Sequence, residues 1–314
     1  MSRKSKLPSS KNPLKIGTRA SPLALAQANE VLSKLSSELE LPFDAFKIVK
    51  IKTTGDLLAE RPLNQLGGKG LFTKEIEECL SSGKIDIAVH SMKDMPVDQP
   101  NNLVIDTYLP REDARDAFLS YSYKTIKDLD NGAILGTSSV RRRAQILNIR
   151  RDLQIIGFRG NIQTRIQKLK NSNVSATFLA LAGLNRLGLS KVPATAIEIE
   201  EMLPAIAQGV IGVQRRKEDH CTALLLEFIN DCKTKVRVQC ERAYLRQLSG
   251  SCQTPIAGLA TLDNGDIILR AEIIHPDGQE KVMDFGRSLI EDGNKLGIDM
   301  AEKLKKQVKF DIFF

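Results

Sequence analysis

A short pattern occurs twice in this chain and constrains its fold more than any other feature. A strand-like apolar run passes through Gly-Thr into a serine placed to cap a helix. The first copy is Ile16-Gly17-Thr18-Arg19-Ala20-Ser21 and the second is Leu135-Gly136-Thr137-Ser138-Ser139-Val140. Pro22 follows Ser21, and serine at the N-cap with proline at the first helical position is a strong helix start. Each start leaves backbone N–H groups without intrahelical partners at the positive end of the helix dipole, a ready anion site. Two copies predict two α/β lobes facing a cleft, with ligands at the carboxyl ends of the strands.

The rest of the chain fits that plan. Strands are expected at 15–18, 46–51 and 85–89, with helices from Pro22 to about Glu40 and from Leu71 to Leu80 after the loop Gly67-Gly68-Lys69-Gly70. The second lobe repeats the alternation, with strands at 133–137, 153–158 and 176–181 and helices at 139–148 and 161–170. After about Thr234 the order changes to one helix, a loop at Cys252, strands near 256–262, 266–274 and 281–288, and a final helix. Asp263-Asn264-Gly265 is a hairpin signal between the first two of those strands. The expected division is a discontinuous first lobe (1–112 and 208–230), a second lobe (113–207) and a small C-terminal domain (231–314). Met1 to Pro13, rich in Ser and Lys, reads as a disordered tail.

Composition removes several classes of function. The chain has 314 residues and 42% hydrophobic content, enough for two or three cores. No apolar run approaches the length of a membrane span. Five cysteines without a CxxC pair and three scattered histidines (His90, His220, His275) indicate neither a disulfide framework nor a structural metal, and a reducing cytoplasm is expected. A net charge of +8 calls for an anionic partner. With aromatics at 5% and no Trp, stacking platforms for single-stranded nucleic acid are not evident.

The basic residues have a distinctive placement. Arg141, Arg142 and Arg143 occupy the first turn of a predicted helix, where the dipole disfavours cations, so a purely structural role fits poorly. Arg159 precedes Gly160 at a strand end, Arg165 lies on the next helix, Arg186 follows the next strand, and Arg19 holds the equivalent strand end in the first lobe. Singly, each reads as a solvated surface charge. Together they form a candidate carboxylate-binding set, each charge-assisted bond being worth about 1.5–3 kcal/mol.

Two further residues stand out. Cys252 sits in Leu248-Ser249-Gly250-Ser251-Cys252-Gln253-Thr254-Pro255-Ile256, which reads as an exposed turn, although cysteine is usually buried. An accessible thiol in a basic protein is a candidate reactive group. Asp94 ends His90-Ser91-Met92-Lys93-Asp94 beyond a strand, and reads either as a cap for the turn before Pro96 or as a functional carboxylate. His90 and Asp94 are four apart but not on a helix, so a metal pair is not expected. The Gly67–Gly70 loop lacks the spacing and the Ser/Thr of a phosphate-binding loop.

These motifs, in order, resemble those of the porphobilinogen deaminase family from Lys15 to about Leu304. The resemblance is carried by Gly17 to Ala24, Gly67 to Phe72, Ala88 to Asp94, Gly136 to Arg142, Arg159-Gly160-Asn161, Ala182 to Gly188 and Gly250 to Ile256. It implies an α/β fold of two periplasmic-binding-protein-like lobes with mixed sheets, plus a small α+β domain with a three-stranded antiparallel sheet. It also implies a transferase that joins four porphobilinogen units, with loss of ammonia, on a dipyrromethane cofactor and releases hydroxymethylbilane by hydrolysis.

The resemblance makes Cys252 the covalent thioether anchor and Asp94 the catalytic carboxylate. Ser91, Lys93, Thr137, Ser138, Ser139, Arg141, Arg142, Arg159 and Gly160 would contact the cofactor. Arg19, Ser21, Lys69, Arg165, Arg186 and Gln208 would contact substrate, with Lys69 on a loop able to close over the cleft. A monomer without nucleic-acid or membrane partners is expected. Three positions depart from the common family pattern: Ser251 and Ala207, where Gly is frequent, and Gly157, where many bacterial relatives carry Arg. The alternative from another class is a non-catalytic two-lobe anion-binding module, which would need neither Cys252 nor a third domain.

Overall fold

The computed structural model describes residues 7–57 and 73–311. By internal contact the chain forms two units, Met1–Arg111 with Val210–Lys235, and Glu112–Gly209 with Val236–Phe314. Among the described residues no helix is long and apolar enough to cross a membrane. The segment expected as a tail is folded from residue 7 onward. Ser9 and Asn12 exchange two backbone hydrogen bonds of 3.2 and 3.0 Å, closing a turn ahead of the first strand.

In chain order the first unit contributes β1 (Leu14–Arg19), α1 (Pro22–Glu38), β2 (Phe46–Ile51), α2 (Thr54–Leu57), α3 (Lys74–Ser81), β3 (Ile87–Ser91) and β4 (Leu103–Tyr108). The second unit follows with β5 (Asp116–Leu119), β6 (Ile134–Gly136), α4 (Val140–Ile149), β7 (Gln154–Ile156), α5 (Ile162–Asn171), β8 (Ala176–Ala180), α6 (Leu181–Arg186) and β9 (Ala194–Ala196). The chain returns to the first unit as β10 (Ile211–Arg216) and α7 (His220–Glu227). It then runs through α8 (Cys232–Gln247) to β11 (Ile256–Asp263), β12 (Asp266–Ile274), β13 (Lys281–Leu289) and α9 (Gly293–Gln307).

The two larger sheets share one plan. The first has the order β2-β1-β3-β10-β4, with β1 parallel to β2 and β3, and β10 antiparallel to β3 and β4. The second has the order β7-β6-β8-β5-β9, with β6 parallel to β7 and β8, and β5 antiparallel to β8 and β9. Both are mixed α/β sheets, and β11-β12-β13 form a separate antiparallel one. The Asn264–Gly265 turn joins β11 to β12 with both residues at positive φ, 47° and 89°. A two-residue hairpin needs that geometry, and Asn-Gly reaches it with little strain.

Helix α1 shows why these segments settle. Ser21 caps it by accepting from Ala24 N at 3.3 Å, and Ala28, Val31, Leu32 and Leu35 recur on one face. That face packs with Ile16, Ile87, Val89, Ile211 and Val213 in the core of the first unit. Each fully buried aliphatic side chain there contributes about 1.5–3 kcal/mol.

In the second unit Glu241 ties the 203–209 segment to β11, accepting from Ala207 N at 2.6 Å and from Ala260 N at 2.8 Å. Ala207 is held at φ 57°, a conformation that strains a Cβ.

The polar centre of the second unit is Asp116, fully buried at the start of β5. Its Oδ1 accepts from Arg142 Nη2 at 2.7 Å and Gln208 Nε2 at 2.9 Å; Arg141 Nη1 lies 2.8 Å from Oδ2, close enough for an ion pair though not aligned as a hydrogen bond. Arg141 and Arg142 are 4% and 5% exposed, so the structural role that the dipole argument disfavoured exists. A buried carboxylate outweighs the unfavourable dipole, because low-dielectric pairing is stronger than a half-charge at a helix end. Burial raises the Asp116 pKa, but the charges of Arg141 and Arg142 and the Arg142 hydrogen bonds hold it well below the carboxylate range.

Asp116→Ala would leave two buried guanidinium groups without their counter-charge, and we expect it to lower stability by roughly 3–5 kcal/mol. Urea unfolding followed by near-ultraviolet circular dichroism checks this. A loss below about 1 kcal/mol would show that the pairing is dispensable.

Candidate functional site

In the first unit, parallel pairing sets the register that gathers the candidate residues. Ile16 pairs with Ile87 and Gly17 with Ala88, so the carboxyl ends of β1 and β3 emerge side by side. Arg19 ends β1 and is half-buried. Ser21 follows as the cap of α1. At the end of β3, Ser91 accepts from Gln27 Nε2 at 2.7 Å, which ties α1 to the strand. Met92–Asp94 then form a single 3-10 turn in which Met92 is buried, Lys93 half-buried and Asp94 exposed. Among the described residues no hydrogen bond or ion pair reaches the Asp94 carboxylate, so it does not cap the turn before Pro96. Lys69 lies outside the described residues.

Beneath this edge lies a buried polar group. His90 is 6% exposed, and its Nε2 meets Gln214 Oε1 at 3.0 Å. Burial pushes its pKa down from 6.5 to about 4; the Gln214 hydrogen bond opposes that, and the nearby Arg19 charge adds to it. His90 is therefore neutral at ordinary pH, which suits a structural donor better than a proton carrier.

In the second unit, the carboxyl ends of β6 and β7 gather a different set. Thr137 Oγ1 accepts from Ser139 N at 3.2 Å, Ser139 caps α4 by accepting from Arg142 N, and Ser138 Oγ accepts from Phe158 N at 3.0 Å. Gly160, at φ 125°, presents its carbonyl to Arg165 Nε at 3.1 Å, while Asn161 caps α5. Arg159 is half-buried beside them. A Cβ on Gly157 would meet only Ser138 Oγ, at 3.8 Å, an ordinary van der Waals contact, so no clash of a Cβ requires glycine there.

Arg186 donates to Gly209 O at 3.0 Å, and Gln208 reaches Asp116 and Ala114 O. Cys252 is exposed in a turn before β11. Ser251 and Thr254 staple that turn, with Thr254 Oγ1 donating to Ser251 O at 2.7 Å and Ser251 Oγ accepting from Gln253 N at 3.1 Å. Ser251 thus has a local task of its own.

Sequence reasoning missed the buried polar residues that hold these groups: Asp116, Gln145, Gln214 and Glu272. Gln145 Oε1 accepts from Arg141, and its amide nitrogen donates to both Leu203 O and Glu272. The available signal was a polar side chain inside an apolar strand, as in Val210-Ile211-Gly212-Val213-Gln214. Among the described residues no group of three or more His, Cys, Asp or Glu is placed to hold a metal ion.

The family described as "Porphobilinogen deaminase, dipyromethane cofactor binding domain" matches residues 14–223, and the "Porphobilinogen deaminase, C-terminal domain" matches 235–306. Porphobilinogen deaminase of Paracoccus denitrificans is 54% identical over 307 residues, covering 98% of both chains. The chloroplastic enzyme of Pisum sativum is 48% identical over 297 residues, 93% of this chain and 80% of that one. Among solved structures, the probable amino-acid ABC transporter extracellular-binding protein YtmK from Bacillus subtilis matches with a TM-score of 0.41 and 11% identity over 68% of this chain and 88% of that one.

His90 makes stability depend on pH. Its folded pKa, about 4, lies below the ordinary 6.5, so as pH falls the unfolded chain takes up the proton first. The contribution is fully present above pH 6.5 and is lost as pH falls toward 4, amounting to roughly 3 kcal/mol. The stability difference between wild type and His90→Gln, measured by urea unfolding at pH 7 and pH 4.5, should shrink by about 2–3 kcal/mol at the lower pH. A difference independent of pH would contradict the buried neutral imidazole.

Proposed function

The chain belongs to the porphobilinogen deaminase family, and from that premise we propose that Asp94 performs the chemistry while Cys252 anchors the cofactor and the arginines receive carboxylates. It is an enzyme of this type, a transferase of tetrapyrrole biosynthesis that joins four porphobilinogen units with loss of ammonia and releases hydroxymethylbilane by hydrolysis. The non-catalytic anion-binding alternative gives no account of a family match over nearly the whole chain.

The residues fit a covalently held dipyrromethane. The Cys252 thiol is exposed on a stapled turn, as attachment through sulfur requires. The hydroxyls of Thr137, Ser138 and Ser139 and the amide ends of α4 and α5 are complementary to carboxylates. When bound, the cofactor supplies the pyrrole on which chain growth starts. On this reading residues 231–314 would be the anchoring domain, and 1–112 with 208–230 and 113–207 the two lobes.

Charge bookkeeping explains the arginines. Each porphobilinogen brings an acetate and a propionate, so negative charge accumulates as units are added. Ser91, Lys93, Arg159 and Gly160, with the three hydroxyls, would receive cofactor carboxylates. Arg19, Ser21, Lys69, Arg165, Arg186 and Gln208 would receive those of incoming units. Arg141 and Arg142 with Asp116 carry a net single positive charge beneath the α4 start, which keeps the local field favourable to anions.

The observation that supports Asp94 most is its exposed carboxylate at the end of β3, with Lys93 beside it and Arg19 on the neighbouring strand end. Loss of ammonia leaves a cationic methylene-pyrrolenine, and coupling makes a second cationic ring before a proton departs. A carboxylate near the pyrrole N–H groups stabilises both. At about 4 Å and an effective dielectric near 20 the pair is worth roughly 4 kcal/mol, close to a thousandfold in rate if realised mainly in the transition state. A reducing cytoplasm is our reading of five cysteines without a CxxC pair, and a monomer is what the family resemblance implies. Nucleic acid is not an expected partner, because substrate carboxylates account for the basic residues.

Asp94→Asn should keep its cofactor and lower kcat by about a hundredfold or more, measured as porphyrin formed after cyclisation and oxidation of the product. A loss under about tenfold would remove Asp94 from this role.

A further inference from the structure

The geometry points to Gln214 as the positioning residue of the Asp94 segment, a single buried amide that holds the stretch 90–99 at both ends; its effect on rate rests on the Asp94 reading. Gln214 is fully buried on β10, in register with Ala88 on β3 and Ile105 on β4. The pairing with β4 shifts between Val213 and Gln214, and such an irregularity re-aims a side chain.

Both N–H groups of this amide and its carbonyl oxygen are engaged. Oε1 faces His90 Nε2 at 3.0 Å, and Nε2 donates to Gln99 Oε1 at 2.8 Å and to Glu77 Oε1 at 3.1 Å. Two acceptors on the nitrogen side fix the amide orientation, which makes His90 Nε2 a donor. Burial raises the Glu77 pKa, and the Gln214 and Thr73 hydrogen bonds offset part of that rise. A buried glutamine is costly unless satisfied in this way, and an aliphatic residue would fill the strand as well.

His90 begins the stretch that carries Ser91, Lys93 and Asp94. Gln99 ends it, and also donates to Pro96 O at 2.8 Å. Between these ends, Met92 N donates to Val210 O at 3.0 Å, and the Met92 side chain lies over Gly212, where a Cβ would come within 2.2 Å of its sulfur. The backbone at Asp94 is thus fixed on both sides although its carboxylate is exposed. Fixing it in advance removes an ordering cost from each turnover, and displacement of a reacting group by about 1 Å can cost a hundredfold in rate.

Gln99→Leu cuts one arm of the clamp at a half-buried position and leaves the core intact; Gln214→Met cuts both. The holoenzyme is assayed with porphobilinogen for kcat and KM, for pyrrole content, and by amide hydrogen exchange. For Gln99→Leu we expect kcat to fall about tenfold with KM within about twofold, pyrrole content unchanged, and faster exchange confined to 91–98. Gln214→Met should show the same pattern more strongly. Unchanged exchange at 91–98 in Gln99→Leu, faster exchange throughout the first unit, or a kcat within about twofold of wild type would overturn the proposal. If Gln99→Leu loosens 91–98 and slows turnover while Asp94→Asn keeps its rate, the Asp94 reading falls and the clamp stands.

Discussion

The antiparallel entry of β10 between β3 and β4 is the interaction on which the functional edge of the first unit depends. A late segment of the chain there becomes the neighbour of the strand that ends at Asp94. Its apolar residues Ile211 and Val213 complete the core, Gly212 leaves room for Met92, and Gln214 reaches both ends of the following stretch. Strand pairing of this kind is long-range and closes a large loop, so it costs entropy that only a well-packed centre can offset. The same strand that stabilises the sheet therefore also fixes the geometry of its exposed edge.

Charge is handled in two ways. Arg141 and Arg142 are buried and share Asp116, because an isolated guanidinium in a low-dielectric interior is prohibitively costly. Arg19, Arg159, Arg165 and Arg186 keep partial exposure at strand and helix ends, where an anionic ligand can reach them. Partly exposed charges contribute little to stability, so on the proposed reading these residues bind carboxylates at small structural cost. Asp94 follows the same logic with opposite sign, since an exposed carboxylate without a cap is available for a cationic ring.

Much of this was legible in the sequence where the signal is local. The Gly-Thr-Ser pattern marked both helix starts, and Ser21 and Ser139 do cap α1 and α4. Asn264-Gly265 marked its hairpin, and the Cys252 loop is exposed as its small residues implied. What was not legible depends on distant partners. β4, β5, β9 and β10 take their strand form from pairing across the chain, and the run Val210–Val213 carries no periodicity that would separate a buried strand from a helix. The inward turn of Arg141 and Arg142 could not be read from the helix dipole, because Asp116 lies outside their local sequence. The residues that hold the site, Gln214 and Gln145 among them, look like ordinary glutamines until their partners are in place.

The central claim is that product grows on a tether at Cys252. Its most direct test is the intact mass of the wild-type protein, before and after limited porphobilinogen, with proteolytic mapping of any added mass. The account predicts an excess of two linked pyrroles on the peptide that contains Cys252, rising by discrete single-unit steps as porphobilinogen is added. A polypeptide of bare mass that turns over porphobilinogen, or an excess that maps to another residue, would contradict it.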